Sequence, residues 1–348
     1  MNFIKNKTVQ FIFWLIAGIV IMYFTFRNQD LAAIGKKLNK VELKWVFIVL
    51  AVSLFGHIIR ALRWQMMLKT LNTNIGFVNT FASMMFGYLV SNGIPRGGEF
   101  SRCLVLKKTD NAAFNVTFGS VLAERLIDTI CLFIITIAVL ISQFDTLSTF
   151  FDENIFGPFW DALFGKKKAS GGFPWKFVIL GGVAVLYVLY KVFEKKIKES
   201  GVEEKLDNFS NEMFEGLKAL LAMPNKVLFI AYTLLIWVCY FLMSYLWFFA
   251  LPEFGVLGLK AGFMLMVVGT IGRSVPIQGG GMGAYHFLVA EALLLYGLTS
   301  TLGATLAVLI HETQLVFVIV LGSLSAIKLF IFTPTAEVKA EEIANNYE

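Results

Sequence analysis

Long apolar blocks separated by short polar segments dominate this chain, and most of the blocks are long enough to cross a membrane as helices. A membrane-spanning helix needs roughly 20 apolar residues, because the hydrocarbon core of a bilayer is about 30 Å thick. Continuous apolar runs of this length are typical of helices rather than strands. The pattern predicts helical segments at residues 9–26, 45–59, 77–94, 112–141, 177–193, 227–250, 259–275, 284–296 and 302–332.

Two of these blocks end in proline and glycine where a simple span would run on into the headgroups. The first ends in SNGIPRGGEFSR at residues 91–102, and the second in PIQGGGMG at residues 276–283. In hydrocarbon, broken backbone is tolerated only where it is buried in protein or lines a watery cavity, because unsatisfied backbone groups are costly there. Each stretch is therefore either an interfacial loop or the wall of a site.

The two broken blocks belong to a weak internal repeat. PRGG at residues 95–98 resembles PIQGG at residues 276–280, and VLAER at residues 121–125 resembles VLIHE at residues 308–312, in the same order. Inverted repeats with interrupted helices at corresponding positions are typical of transporters, whose sites lie near the membrane midplane. We predict an all-α, polytopic integral membrane protein with inverted repeats, each containing a re-entrant broken helical hairpin.

This interpretation divides the chain into five parts. They are an N-terminal span and interfacial connector at 1–44, a first transmembrane repeat at 45–141, an external loop, span and basic amphipathic connector at 142–226, a second transmembrane repeat at 227–332, and a disordered tail at 333–348. Lys and Arg are enriched on cytoplasmic flanks. Their distribution favours a cytoplasmic N-terminus, and we expect a multi-pass protein of the cell membrane.

Composition narrows the function classes. With 57% hydrophobic residues and 35 Phe in 348 residues, the spans leave no room for a sizeable soluble catalytic domain. The net charge of +6 is expected from cytoplasmic flanks and contact with anionic lipid, so we predict no nucleic-acid partner. The glycine run lacks the strand and the Gly-Lys-Ser/Thr of a nucleotide site, and we expect no cofactor. The three cysteines have no paired-ligand spacing and are interpreted as packing residues.

Charged residues inside the first half form two candidate groups. Glu124, Arg125 and Asp128 lie within one turn of a predicted span, where charges are expensive; they form either a local ion pair or the wall of a charged cavity. The group at residues 96–102, with Arg, Glu and Arg three apart, forms either internal pairs or an anion site at a helix start. The arginines at positions 60 and 63 are interpreted as snorkelling to the headgroups.

The second half supplies the remaining candidates. Arg273 has no acid within a helical turn, which points to a distant partner or a functional role. His311-Glu312 forms either a buried hydrogen-bonded pair or a site that handles protons or headgroups; the zinc-protease pattern fails because position 315 is Leu, and we predict no metal. His286 and Glu291 are weaker candidates. The predicted substrate-binding residues are Asn92, Arg96, Glu99, Arg102, Glu124, Arg125, Asp128, Arg273, Gln278, Gly280, His311 and Glu312.

Four segments together resemble the lysylphosphatidylglycerol synthase transmembrane-region family. They are RALRW at 60–64, NGIPRGGEFSR at 92–102, AERLID at 123–128 and PIQGGGMG at 276–283, and the resemblance runs from about residue 45 to 332. That family includes the flippase domain of the bacterial multiple peptide resistance factor and membrane proteins linked to archaeal dolichol-sugar assembly. The resemblance implies a lipid-translocating domain with re-entrant helices. It does not imply lysyl transfer, because the separate soluble aminoacyl-transfer domain of fused members is not expected here.

We therefore expect a flippase or scramblase-like transporter that moves a phospholipid or a polyprenyl-linked lipid through a charged midplane cavity. The lipid is expected to carry a phosphate, guided by arginines. Two alternatives stay open: an intramembrane transferase that acts on a lipid carrier, and a non-catalytic lipid-binding partner of a separate lipid-modifying enzyme. Headgroup identity, coupling ion and oligomeric state do not follow from the sequence.

Overall fold

The computed structural model describes residues 7–27, 29–151 and 225–334, and all regular structure in these ranges is helical. The chain divides into two units, residues 1–139 with 219–348, and residues 140–218. In the second unit the description covers the end of one helix and a short helix after it. The predicted span at 177–193, most of the 142–226 segment and the predicted tail lie outside the described residues.

Eleven helices are numbered here within the described ranges. They are α1 (Lys7–Phe26), α2 (Leu31–Leu38), α3 (Leu43–Thr70), α4 (Phe77–Gly93), α5 (Gly97–Asp110), α6 (Phe114–Ser142), α7 (Phe144–Phe151), α8 (Lys226–Tyr245), α9 (Leu259–Ser274), α10 (Ala284–Leu294) and α11 (Ser300–Ile331). Two short 3-10 turns, Leu246–Phe249 and Pro252–Phe254, follow α8. Between α9 and α10 lies Gln278–Gly281, termed the glycine turn here because Gly279 and Gly280 have left-handed φ angles of 66°.

Four helices are long and apolar enough to cross a membrane. They are Leu43–Thr70, Phe114–Ser142, Lys226–Phe249 and Ser300–Ile331, and they contain 24 to 32 residues. At 1.5 Å per residue these helices are roughly 36 to 48 Å long, which exceeds the ~30 Å hydrocarbon core. The predicted all-α membrane protein is thus confirmed.

The first broken block forms a tight helical hairpin. Helix α4 ends at Gly93, α5 begins at Gly97, and Arg96 between them adopts a left-handed φ of 61°. The two helices touch backbone to backbone, since a Cβ added at Gly98 would lie 2.1 Å from the Gly87 carbonyl oxygen. Only glycine fits at such a contact.

The second broken block forms the corresponding hairpin from α9, the glycine turn and α10. A Cβ added at Gly281 would lie 2.3 Å from the Gly272 carbonyl oxygen, and Gly281 has a φ of 81°. Both predicted breaks are therefore helix ends at glycine-dependent turns. Their depth in the membrane stays a prediction.

Helices of the two halves pack against one another. Helix α3 lies along α8, and α4 lies along α11 and also contacts the glycine turn. Gly322 of α11 allows this approach, because a Cβ there would lie 2.6 Å from Leu89 Cβ on α4. One apolar core surrounds Trp247, Phe254 and Leu293 in the second half. Another core, in the first half, includes Trp64 and Leu106.

Among the four described spans, helix α6 has the smallest buried share. Only 6% of its apolar window is buried, and Phe133 and Ile134 are exposed. Its inner face carries polar and charged anchors: Ser120 accepts a hydrogen bond from Trp64 Nε1 at 2.9 Å, and Glu124 is fully buried. The apolar outer face is suited to contact with lipid chains.

Candidate functional site

An arginine–carboxylate cluster joins three helices of the first half. We define it by Arg60 and Arg63 of α3, Arg102 of α5, and Glu124 and Asp128 of α6. Arg60 and Arg63 share a face of α3 because residues three apart in a helix are neighbours, and Glu124 and Asp128, four apart, share a face of α6. Helix α3 therefore presents a pair of positive charges to a pair of negative charges on α6, and α5 adds the single charge of Arg102.

Glu124 is the centre of this cluster. Its Oε1 accepts from Arg60 Nε at 2.8 Å and from Arg63 Nη2 at 3.5 Å, and its Oε2 accepts from Arg102 Nη2 at 2.8 Å. The side chain is 0% exposed. One carboxylate thus binds α3, α5 and α6 together, through charge-assisted hydrogen bonds that are stronger than neutral ones.

Asp128 extends the cluster toward α8. It accepts from Arg60 Nη2 at 2.8 Å and from Arg63 Nη2 at 2.7 Å. Arg60 also donates to Tyr240 of α8 at 2.5 Å, and Arg63 donates to Thr233 of the same helix at 3.3 Å. The arginines of the first half therefore reach the first span of the second half.

The cluster is buried and carries a net charge of +1 from three guanidinium groups and two carboxylates. Arg63 and Arg102 are 0% and 2% exposed. Arg63 Nε and both Nε and Nη1 of Arg102 make no hydrogen bond within the described residues. The Arg102 guanidinium stacks 4.4 Å from the centre of the Trp64 ring, which offsets part of its desolvation.

The structure corrects two interpretations of these residues. Arg60 and Arg63 do not snorkel to headgroups, because α3 continues for seven residues past Arg63, to Thr70, and buries both side chains. Asp128 does not pair with Arg125 but with α3. The spacing of these residues indicates the pairing that is observed. Two arginines three apart on one span and two acids four apart on another each share a helix face, so the two faces can form ion pairs.

Arg96, Glu99 and Arg125 lie nearer the surface. Arg125 Nε is 3.8 Å from Glu99 Oε1, and their side chains are 40% and 27% exposed. Arg96 is exposed at the hairpin tip. Internal pairing within residues 96–102, one of the two alternatives for this group, is not observed, because Glu99 pairs with α6 and Arg102 with Glu124.

A histidine–glutamate cluster lies in the second half. We define it by His286 of α10 with His311 and Glu312 of α11. Glu312 Oε1 lies 3.2 Å from His311 Nδ1 and 3.5 Å from His286 Nε2, and the two imidazole rings are 4.7 Å apart. Both histidines are buried, whereas the Glu312 side chain is 43% exposed. The predicted His311–Glu312 pair is therefore present, and His286, a weaker candidate, joins it.

The glycine turn supplies further contacts to this cluster. His311 Nε2 lies 3.4 Å from the Gly280 carbonyl oxygen. A Cβ added at Gly280 would lie 3.6 Å from Asn92 Oδ1 and 3.9 Å from His311 Nε2, so α4, the turn and α11 meet at one point. Gln278 is buried in the same turn. Arg273 is exposed and stacks 4.7 Å from the ring centre of Tyr285, which in turn lies 5.0 Å from His311.

Helix α4, with His57 of α3, links the two clusters with a row of polar side chains. Tyr88 lies 5.8 Å from the Arg60 guanidinium and 5.4 Å from the His57 ring, and Asn92 is one turn further along α4, beside Gly280. In the described part of the chain, His57 Nε2, Tyr88 OH and Asn92 Nδ2 are buried and make no hydrogen bond. We term these three side chains the α4 polar row.

The possible ligand atoms of the histidine–glutamate cluster lie close enough together for the cluster to be considered as a metal site. One ligand atom from each of its three residues lies within 4.8 Å of the others. However, His286 Nδ1 accepts the Gly283 backbone N–H at 3.4 Å. In neutral histidine that acceptor role places the proton on Nε2, the atom that faces Glu312, and a protonated nitrogen cannot ligate a metal. We assign no metal to this cluster.

The structure thus places ten of the twelve predicted site residues in two neighbouring groups, whereas Arg96 and Arg273 are exposed. Arg102, Glu124 and Asp128 lie in the arginine–carboxylate cluster, with Arg125 and Glu99 paired at its edge. Asn92, Gln278, Gly280, His311 and Glu312 lie at or beside the glycine turn. A separate cavity of about 340 Å³ between α1, α10 and α11, lined in part by Gln29 and Glu291, contains none of the twelve.

Comparison with known proteins gives consistent matches. A family model described as the lysylphosphatidylglycerol synthase TM region matches residues 11–322. A UPF0104 membrane protein of Methanothermobacter thermautotrophicus is 26% identical over 256 residues, covering 69% of this chain and 72% of that protein. UPF0104 membrane proteins of Pyrococcus horikoshii and Methanocaldococcus jannaschii are 23% and 26% identical.

The last two matches are partial. They cover 33% and 35% of this chain, which spans 36% and 39% of the length of those two relatives. No solved structure matches the chain at a significant level.

Proposed function

The chain belongs to the lysylphosphatidylglycerol synthase transmembrane-region family, and from this premise we propose that it moves phosphate-bearing lipids between the two leaflets of a membrane. Family membership supports a lipid-related role in the membrane. The more specific proposal of a flippase or scramblase-like transporter rests on the geometry of the described residues, as follows.

The α4 polar row is the observation that carries the proposal. Leaving a buried polar atom without a hydrogen bond costs about 1–3 kcal/mol. A native protein therefore keeps such an atom mainly where water, an ion or a ligand forms the missing hydrogen bond. Three such atoms lie between two charged clusters from different halves of the chain. A polar headgroup passing between the halves would find donors along this row. Inverted-repeat transporters place their substrate at the corresponding interface.

Exposed arginines are proposed to select the phosphate. Arg96, Arg125 and Arg273 are accessible, and a guanidinium group binds phosphate oxygens through paired hydrogen bonds. Arg102 is held by Glu124 and is 2% exposed, so we assign it a supporting role. The buried cluster then fixes α6, which carries Arg125, and α5, which begins directly after Arg96.

The acyl chains are proposed to stay in the bilayer while the headgroup crosses. The lipid-facing surface of α6 suits this arrangement, since large apolar side chains such as Ile130, Phe133 and Ile141 are exposed along it. The energy would come from a downhill lipid gradient or from a coupled ion. Glu99 and Glu312, both partly exposed, are the carboxylates best placed to exchange protons with water.

Substitution of Arg125 tests the site. We expect Arg125→Ala to slow lipid movement in proteoliposomes by about tenfold, the effect of losing one charge-assisted contact to phosphate. The measurement is the rate at which a fluorescent phospholipid of the inner leaflet becomes accessible to an external quencher. Arg27→Ala, an exposed arginine that stacks on Phe24 outside both clusters, is the matched control and should leave the rate unchanged.

The same preparation separates the alternatives. Unchanged transport by a folded Arg125→Ala protein would show the site assignment to be wrong. A new lipid product formed by the purified protein would indicate a transferase, whereas tight lipid binding without movement would indicate a binding partner.

A further inference from the structure

His311 is placed so that both of its ring nitrogens face hydrogen-bond acceptors. Nδ1 lies 3.2 Å from Glu312 Oε1, and Nε2 lies 3.4 Å from the Gly280 carbonyl oxygen. A neutral imidazole carries one N–H and can donate only one of these bonds. Both bonds form together only if the ring carries two protons or if the carboxyl group of Glu312 is protonated.

His286 cannot supply the missing proton without losing a contact of its own. Its Nδ1 accepts the Gly283 N–H at 3.4 Å, so its single proton is on Nε2, which faces Glu312 Oε1 at 3.5 Å. His286 is 0% exposed, and its Nε2 makes no hydrogen bond within the described ranges. The extra proton therefore belongs to the His311–Glu312 pair.

From this geometry we infer that His311 and Glu312 together bind one exchangeable proton, and that this proton fastens the glycine turn to α11. With the proton bound, His311 donates to Glu312 through Nδ1 and to Gly280 through Nε2. Without it, His311 keeps one donor, and its contact with either Glu312 or the turn is lost. Glu312 is 43% exposed and provides the route for exchange with water.

Titratable and polar groups face the His311–Glu312 pair from several helices. From α10, Tyr285 and His286 face the pair; from α9, Arg273 reaches it through the Tyr285 ring. Helix α4 presents the uncharged Asn92, and α1 presents Phe26, whose ring meets that of His286 edge to face. Two further titratable residues on the helices packed against α11 contact other side chains. His57 of α3 stacks on Phe317, and Lys37 of α2 pairs with Glu253.

The inference goes beyond the proposed function and does not need it. A proton that fastens the turn is a property of the folded protein whether or not lipid moves. If lipid movement is also shown, the His311–Glu312 pair would couple proton binding to the hairpin that carries Arg273.

Hydrogen–deuterium exchange of the full chain in lipid nanodiscs tests the inference. The peptide covering residues 276–283 is followed between about pH 5 and pH 8, the range in which histidine changes charge, with correction for the intrinsic pH dependence of exchange. We expect the turn to exchange about tenfold faster above the transition than below it, because a charge-assisted bond is lost. Glu312→Gln should abolish this pH step, whereas the control Glu291→Gln, outside the cluster, should retain it.

Infrared difference spectra over the same pH range provide a second measurement, which does not depend on a variant folding well. The wild-type protein alone should show a carboxylate or imidazole change at the pH at which exchange of the turn steps. The inference is overturned if the corrected exchange of the turn does not depend on pH, or if the step persists in Glu312→Gln. It is also overturned if stoichiometric zinc copurifies and its chelation alone releases the turn. Failure of lipid transport would leave these results untouched, so the two proposals can fail separately.

Discussion

At the scale of single residues, Glu124 determines how the first half is held together. It faces three arginines from two helices and has no access to solvent. Burying these charges is costly, and such clusters add little net stability compared with an apolar core, but removal of one partner is severe because it leaves uncompensated charge. The cluster is therefore better understood as fixing one arrangement of α3, α5 and α6.

Replacement of Glu124 by glutamine should be strongly destabilising. The cluster charge would rise from +1 to +2, and breaking a buried ion pair typically costs about 3–5 kcal/mol. We expect a clearly lower unfolding temperature, followed by tryptophan fluorescence in detergent. Glu253→Gln is the control: Lys37 lowers the pKa of that exposed carboxyl group, and surface pairs contribute ~0–1 kcal/mol. Equal unfolding temperatures for Glu124→Gln and the wild-type protein would contradict this role.

The sequence identified Glu124, Asp128 and Arg102 as candidates but not their partners. Intramembrane charge is a strong signal because each such residue is expensive. Which arginine meets which acid depends on how helices α3 and α6 rotate and approach, and periodicity gives only the face of each helix. For this reason the pattern places Arg60 and Arg63, within one turn after the predicted end of a span at residue 59, at the headgroups, although both are buried.

At the scale of helices, glycine sets how closely the two halves approach. Gly322 brings α11 against α4, and Gly56 of α3 faces Cys239 of α8. No hydrophobic driving force acts between helices in lipid, so their association depends on the close packing that small residues at helix crossings allow. The apolar pattern predicted where most helices lie to within a few residues, and proline and glycine marked both hairpin turns. It could not predict which helices pair across the halves, because close contacts depend on three-dimensional shape.

A cysteine at position 56 tests the contact between α3 and α8. A Cβ added at Gly56 would lie 3.2 Å from the Cβ of Cys239 and 3.8 Å from its Sγ. Since the Cβ atoms of a disulfide lie about 3.5–4.5 Å apart, a small shift allows Gly56→Cys to form a disulfide with the native Cys239. Mass spectrometry of the oxidised protein, digested without reductant, should recover the linked peptides.

Two variants control this cross-link. Adding Cys239→Ala should abolish it, and Gly119→Cys on α6, where an added Cβ meets no atom within 4 Å, should not form it. If Gly56→Cys stays reduced under conditions that oxidise an exposed thiol, the packing of α3 on α8 is incorrect.

At the scale of the whole molecule, each half contributes one charged cluster and the α4 polar row connects them. The likeness between residues 95–98 and 276–280 predicted that the two broken hairpins are related, and the glycine turn does contact α4. The repeat could not predict that the two halves use different chemistry, arginines with carboxylates in one and histidines with glutamate in the other. This asymmetry follows from side chains that the repeat does not share, including His286 and Arg102.

The most direct test of the central proposal is movement of matched lipids by the wild-type protein in vesicles. Two fluorescent lipids with the same acyl chains are compared, one with a phosphate diester in its headgroup and one neutral and without phosphate. We predict that the protein makes the inner-leaflet pool of the phosphate lipid accessible to an external quencher and leaves the neutral lipid largely in place. If neither lipid moves, or if both move at the same rate, the account of a phosphate-selecting lipid transporter is contradicted.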